Sequence, residues 1–191
     1  MNWTTRLSVA AAAFALAVPS WAAALYTLPS ATPALETNTS LVVDFAAAAG
    51  PGQVDFTLAG YATLDGDNSF IDVFHLSLNG TEIFSGTWDL GGGGGSRVLL
   101  DANGAAVGTV VAQRLQVSIP LALAAGGNEL VFSYASPTTF DGTGRAGFQG
   151  VGDEGWGLDA IAVTGTVPEP AESAMLLAGL AVLGWLATRR R

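Results

Sequence analysis

Carboxylates crowd two short stretches of this chain. The first, LDGDNSFID, holds Asp65, Asp67, Asn68, Ser69 and Asp72; the second, GDEGWGLD, holds Asp153, Glu154 and Asp159. Calcium takes about six to eight hard oxygens from carboxylates, amides and carbonyls, and closely spaced acids in a glycine-rich turn supply such a set. An EF-hand is excluded, because Phe70 stands where that loop needs glycine and Leu76 where it needs the bidentate acid. If the strand around Trp156 packs beside the loop before Phe70, then Asp65, Asp67, Asp72, Asp153, Glu154 and Asp159 could share one ion, for which calcium is the candidate; no cofactor is assigned with certainty. The plainer reading of the same residues is solvated loop acids and Asx-turns. Asp159 is a special case. In strict alternation it shares a side with Ile161 and Val163, which places it at the core rim with a need for an ion, Arg145 or backbone amides as partner.

A second chemistry is sugar stacking. Trp88, Trp156, Tyr61, Tyr134, Phe140 and Phe148 are the aromatic candidates for a flat platform, with Asp, Asn and Gln to take hydroxyls. Phe140 and Phe148 flank DGTGRAG, a loop that carries Arg145. Against this, strand Trp and Tyr more often belong to the core or its rim. Catalysis has little to work with. There is one histidine, His75, and no cysteine, so neither an ordinary zinc site nor a thiol nucleophile assembles, and no GxSxG elbow marks a serine nucleophile. No catalytic residue is assigned, and His75 reads as a partly exposed strand residue.

The elements that must position these residues alternate with a period of two. QVDFTL puts Val54, Phe56 and Leu58 on one face; RLQVSI does the same with Leu115, Val117 and Ile119, and NELVFSY with Leu130, Phe132 and Tyr134. In FIDVFHLSLNGTEIFSGTW, Phe74, Leu76 and Leu78 run inward, Asn79-Gly80 suits a type I′ turn, and Thr81 to Trp88 returns. Strands punctuated by Gly, Asn, Asp and Pro, with no long amphipathic helix between them, predict an all-β fold. The expectation is an antiparallel two-sheet sandwich, jelly-roll-like rather than a barrel. LALAAGG allows one helical turn. The run Gly91 to Gly95 lacks the Lys-Ser or Lys-Thr of a phosphate loop and reads as a flexible connection.

Composition bounds the partners. Between residues 23 and 170, three arginines stand against fifteen acids, and the chain has no lysine. Such a surface repels nucleic acid and anionic lipid headgroups. About 145 residues without a disulfide suffice for one self-sufficient core. Both ends are different in kind. Met1 to Arg6 is positive, Leu7 to Val18 is apolar apart from Ser8, and Ser20 and Ala22 are the small residues before a cut. That is a secretory signal peptide over residues 1–22, a helix removed by signal peptidase, and too short for a spanning anchor. At the other end, Ser173 to Thr188 gives roughly 24 Å of apolar helix against a hydrocarbon core near 30 Å. It reads as a short transmembrane helix in the inner membrane, and Arg189, Arg190 and Arg191 orient it with the body outside.

Pro168-Glu169-Pro170, the short apolar helix and the arginine cluster resemble the PEP-CTERM sorting signal of Gram-negative bacteria, here over residues 167–191. The resemblance implies processing by the membrane protease-transpeptidase exosortase, transient tethering, and delivery to the outer envelope or extracellular matrix of cells that make exopolysaccharide. The body, residues 23–166, is similar in SLNGTEIFSGTW, DLGGGGG, NELVFSYASP and FQGVGDEGWGLDAIAVTG to a sandwich domain carried by such cargo, loosely like jelly-roll carbohydrate-binding modules. Three functions stand as expectations. The first is a non-catalytic matrix-associated protein, the second a carbohydrate-binding module stabilised by calcium, and the third a polysaccharide hydrolase.

Overall fold

The computed structural model describes residues 22–28, 30–136, 154–166 and 172–189. The expected signal helix, Pro168, Glu169, Pro170, Arg190 and Arg191, and Phe140, Arg145, Phe148 and Asp153 lie outside the described residues. Eleven strands and one helix run in order: β1 Ala22–Leu28, β2 Leu35–Glu36, β3 Thr39–Ala47, β4 Gly50–Ala62, β5 Val73–Leu78, β6 Thr81–Thr87, β7 Arg97–Asp101, β8 Ala106–Val107, β9 Arg114–Leu123, β10 Gly126–Ala135, β11 Glu154–Thr166 and α1 Glu172–Arg189.

The alternating segments form the strands expected of them. One sheet runs β1-β11-β4-β9-β8, with β2 alongside β11, and the other runs β3-β10-β5-β6-β7. The named pairings are antiparallel. β3 pairs with β10 in one sheet while the next strand, β4, pairs with β9 in the other. Two nested pairs therefore wind round one core, which is the jelly-roll pattern. The inward residues of both sheets meet there: Phe56 of β4 lies 5.4 Å from Phe132 of β10 and 5.6 Å from Phe74 of β5, centroid to centroid. Val54, Phe56, Leu58, Phe74, Leu76, Leu115, Ile119, Leu130 and Phe132 are all buried. Asn79 and Gly80 take positive φ angles of 51° and 77°, as a type I′ hairpin requires.

Three local expectations are corrected, and a fourth is not shown. LALAAGG forms no helical turn. β9 runs to Leu123 and β10 starts at Gly126, and the buried Asn128 side chain spans the bend, its Oδ1 accepting from the Ala124 amide and its Nδ2 donating to the Ala124 carbonyl, both at 2.9 Å. Gly91 to Gly95 is no loose connection. Leu64 bridges Leu90 and Gly91, the Gly66 amide donates to Gly93 O at 2.7 Å, and the Asp67 amide to Gly95 O at 2.7 Å. Asp89 fixes the bend by accepting from the Gly91 and Gly93 amides. Asp159 does not share the side of Ile161, because a bulge between Asp159 and Ala162, with Ala160 at φ 52°, turns it outward. Finally, α1 forms over 18 residues, but Glu172 and Arg189 bracket it, and no described helix is long and apolar enough to cross a membrane.

Gly66 is where the loop tolerates least. A Cβ there would run into the Gly95 carbonyl and come within 2.8 Å of the Asp89 amide, whereas Gly127 has open space. Gly66→Ala is expected to lower unfolding free energy by about 1–3 kcal/mol in urea titrations, and Gly127→Ala to change it by under about 0.5 kcal/mol.

Candidate metal centre

The connection from β4 to β5 folds back on itself through its own acids. The Asp65 amide donates to Asp72 Oδ2 at 2.8 Å, and the Asp72 amide returns a bond to Asp65 O at 3.2 Å. Asn68 donates from Nδ2 to Asp65 Oδ1 at 2.6 Å and accepts the Phe70 amide on Oδ1, an Asx-turn that holds the loop closed. Gly92 of the glycine run lies against this loop, where a Cβ would meet the Asp65 carboxyl carbon at 2.7 Å. Only glycine lets the backbone approach so closely.

Two strands complete the site. Glu154 opens β11 opposite Ala62 of β4, and its Oε2 accepts from Ser136 Oγ at 3.0 Å. Ser136 follows β10, and its amide donates to Asn38 Oδ1 at 3.2 Å. Asp72 immediately precedes β5, whose Val73 pairs with Ala135, so the extended β5–β10 ladder sets Asp72 and Ser136 side by side. Asp65, Asp72 and Glu154 thereby each present a carboxylate oxygen within 4.8 Å of the others. Asp72 is fully buried, Glu154 is 4% exposed and Asp65 8%. Three buried carboxylates at that spacing repel one another and lose their hydration, so the fold must supply compensating charge or protons.

Tyr134 points at the same place from inside the core. Its ring packs 6.0 Å from Phe74 and 6.1 Å from Trp156, and the residue is wholly buried. Its hydroxyl has no hydrogen-bond partner among the described residues. Burial first, then the fields of Asp72, Asp65 and Glu154, push the phenol well above the ordinary tyrosine range. Among the described residues the cluster offers oxygen ligands, which suit a hard cation such as calcium.

The other sequence candidates lie elsewhere. Asp67 pairs with Arg97 at 3.1 Å, and Asp159 with Arg114 at 2.9 Å, both at the surface. Neither joins the cluster. Trp88 is 3% exposed and stacked on Phe84, and Trp156 is fully buried with its Nε1 donating to Glu36 O at 2.9 Å. As placed, neither offers a face to a sugar ring. Asp153, Arg145, Phe140 and Phe148 fall outside the described residues. Sequence reasoning missed Ser136 and Asn38, and it read Tyr134 as an inward strand residue or a stacking ring, without placing it beside the acids. The inward place of Tyr134 in NELVFSY was the available signal for a core ring with a polar tip.

The body is an antiparallel two-sheet sandwich, and a helix follows it in the chain. The extension says more. Residues 166–191 match the family model described as the PEP-CTERM protein-sorting motif. The chain is therefore an exported protein of the exosortase sorting route, bound for the envelope or exterior of a Gram-negative bacterium. No curated protein matches it. Among solved structures, dimeric latent PorU from Porphyromonas gingivalis is similar over 69% of this chain and 10% of its own, at 17% identity and a TM-score of 0.38. The match spans a small part of that protein's length.

Because the folded state raises the Tyr134 pKa, stability from this group is intact below the unfolded pKa of about 10 and declines as pH rises beyond it. Alkaline titration followed by circular dichroism and tyrosinate absorbance together should show Tyr134 ionising only as the sandwich unfolds. Tyr134→Phe should shift the alkaline midpoint upward. Asp159→Asn, at an exposed ion pair, should change stability by less than about 1 kcal/mol in the same assay.

Proposed function

We propose that the body is a non-catalytic component of the extracellular matrix, retained in or on the exopolysaccharide layer after sorting. The sorting motif carries this reading, since it assigns the chain to an export route and to the cell exterior. The body's chemistry supports it. A lysine-free, acid-rich surface is compatible with a hydrated neutral polymer and with divalent cations. His75 is engaged by Glu82 at 2.7 Å on the outer face of its sheet, an exposed pair whose hydrogen bond holds the Glu82 carboxyl below its ordinary range.

A second reading, a specific carbohydrate-binding module, is favoured by one observation. On the outer face of the β4–β9 ladder, Asp55, Thr57, Gln116 and Ser118 line a shallow depression of about 490 Å³ between β8 and the Ala160 bulge. Amides and hydroxyls in an open groove suit a neutral polyhydroxylated ligand. Hydrolysis fits less well. The gathered carboxylates are buried and within 4.8 Å of one another, whereas glycosidases flank an open bond with acids about 5 Å or more apart.

Fractionation of a producing culture tests the proposal. The full chain should concentrate in the matrix fraction, while a chain ending at Thr166 should not, and the purified protein should cosediment with isolated exopolysaccharide. Free release of the full chain into medium, with no cosedimentation, overturns it; depolymerisation of the polymer would support the hydrolase instead. If the depression binds sugar, Gln116→Ala with Thr57→Ala should weaken saturable binding by about tenfold.

A further inference from the structure

Two segments far apart in sequence bring three carboxylates to one buried point, and a third brings a phenol. We propose that Asp65, Asp72 and Glu154, with Tyr134 beside them, form a calcium-binding clasp that fastens the start of β11 to the β4–β5 loop. The charge argument favours a dication. Three carboxylates within 4.8 Å of one another carry more negative charge than one side-chain cation neutralises. Coordination chemistry agrees, because the set is all oxygen and calcium accepts irregular geometry with a mix of carboxylate, carbonyl and water ligands.

Tyr134 is the independent observation. Its hydroxyl is buried and electrostatically coupled to all three acids, yet it hydrogen-bonds none of the described groups. A buried phenol in the field of three acids, with no hydrogen-bond partner among the described residues, calls for a further group beside it. Water on a bound cation would supply one, donating to Oη while the ion holds the carboxylates. The first coordination contacts fall on the Asp65, Asp72 and Glu154 side chains, whose other bonds, from Asn68, the Asp65 amide and Ser136, orient them as second partners do in metal sites.

The clasp has a place in the fold. It joins Glu154, the first residue of the last body strand, to a loop some eighty residues earlier and to the end of β10. Loss of the ion would remove the link between that loop and the point where β11 enters its sheet. The inference does not depend on the matrix reading, since it concerns the ion and not a polymer.

The test uses the exported protein and calcium alone. Thermal unfolding should rise by about 5 °C or more when calcium reaches a hundredfold excess over its Kd, relative to chelator. Terbium should give sensitised luminescence through Trp156 and Tyr134, displaced by calcium. Asp72→Asn and Glu154→Gln keep their hydrogen-bond acceptors and should lose both signals, whereas Asp67→Asn and Asp159→Asn should keep them. Absence of a calcium shift in the wild-type chain together with absence of terbium luminescence overturns the proposal and makes Arg145 or shared protons the counter-charge. Equal shifts in the Asp72 and Asp67 variants also overturn it, as would an equal response to sodium at matched ionic strength. Should a cluster variant fail to fold, terbium binding to the wild-type chain and its displacement by calcium still decide the matter.

Discussion

The sandwich depends on the insertion of β11 between β1 and β4. Among the described residues β1 and β2 pair with no other strand, so the ladder along β11 is what makes them part of the sheet. Its inward residues Trp156, Leu158, Ile161 and Val163 are each 1% exposed or less, and at ~25 cal/mol per Å² of apolar surface such a strand is a large share of the hydrophobic stabilisation. β11 is also the last strand in sequence, and its partners lie up to about 140 residues away. Closing the sheet therefore waits on the most distant pairing in the domain, the kind that forms slowly.

A central strand cannot be uniform when its two ends serve different surroundings. Near its start, Trp156 and Leu158 face the core and Glu154 enters the acid cluster; beyond Ala160 the ladder resumes with Ala162 opposite Asp55. The bulge absorbs one residue of mismatch. It sends Asp159 to Arg114 on the surface and lets Leu158 and Ile161, three residues apart, both reach the core. Strict alternation read from the sequence put Asp159 on the wrong side for this reason. The same reading succeeded for residues 54–58 of β4, 74–78 of β5, 115–119 of β9 and 130–134 of β10, where no positive φ falls between the inward residues.

What the sequence left unread was mostly contact between distant segments. LDGDNSFID and GDEGWGLD announce acids, but nothing local distinguishes Asp65 and Asp72, buried, from Asp67, which leans out to Arg97. The difference arises because the loop is zipped on one side to Gly91–Gly95 and on the other to the end of β10. The glycine run is similar. Its composition suggests freedom, whereas its role is closeness, letting backbone lie on backbone where a Cβ at Gly91, Gly92 or Gly94 would clash. Trp88 and Trp156 were ambiguous between platform and core until the sheets were stacked, and both went to the core.

The acids of this body are handled in three ways, and the comparison shows why the cluster stands apart. Asp67, Asp159 and Glu82 remain near water and pair with Arg97, Arg114 and His75, interactions worth little to stability. Asp89 and Asp101 cap turns by accepting backbone amides, Asp101 from Gly104 and Ala105. Asp65, Asp72 and Glu154 alone among the described acids are drawn together inside, at a cost that neither of the other arrangements carries. The last ladder pair is Thr166 with Ala22, and the motif match begins at Thr166. Among the described residues, those beyond Thr166 add no strand to either sheet, so the strands that gather the acids all precede the address.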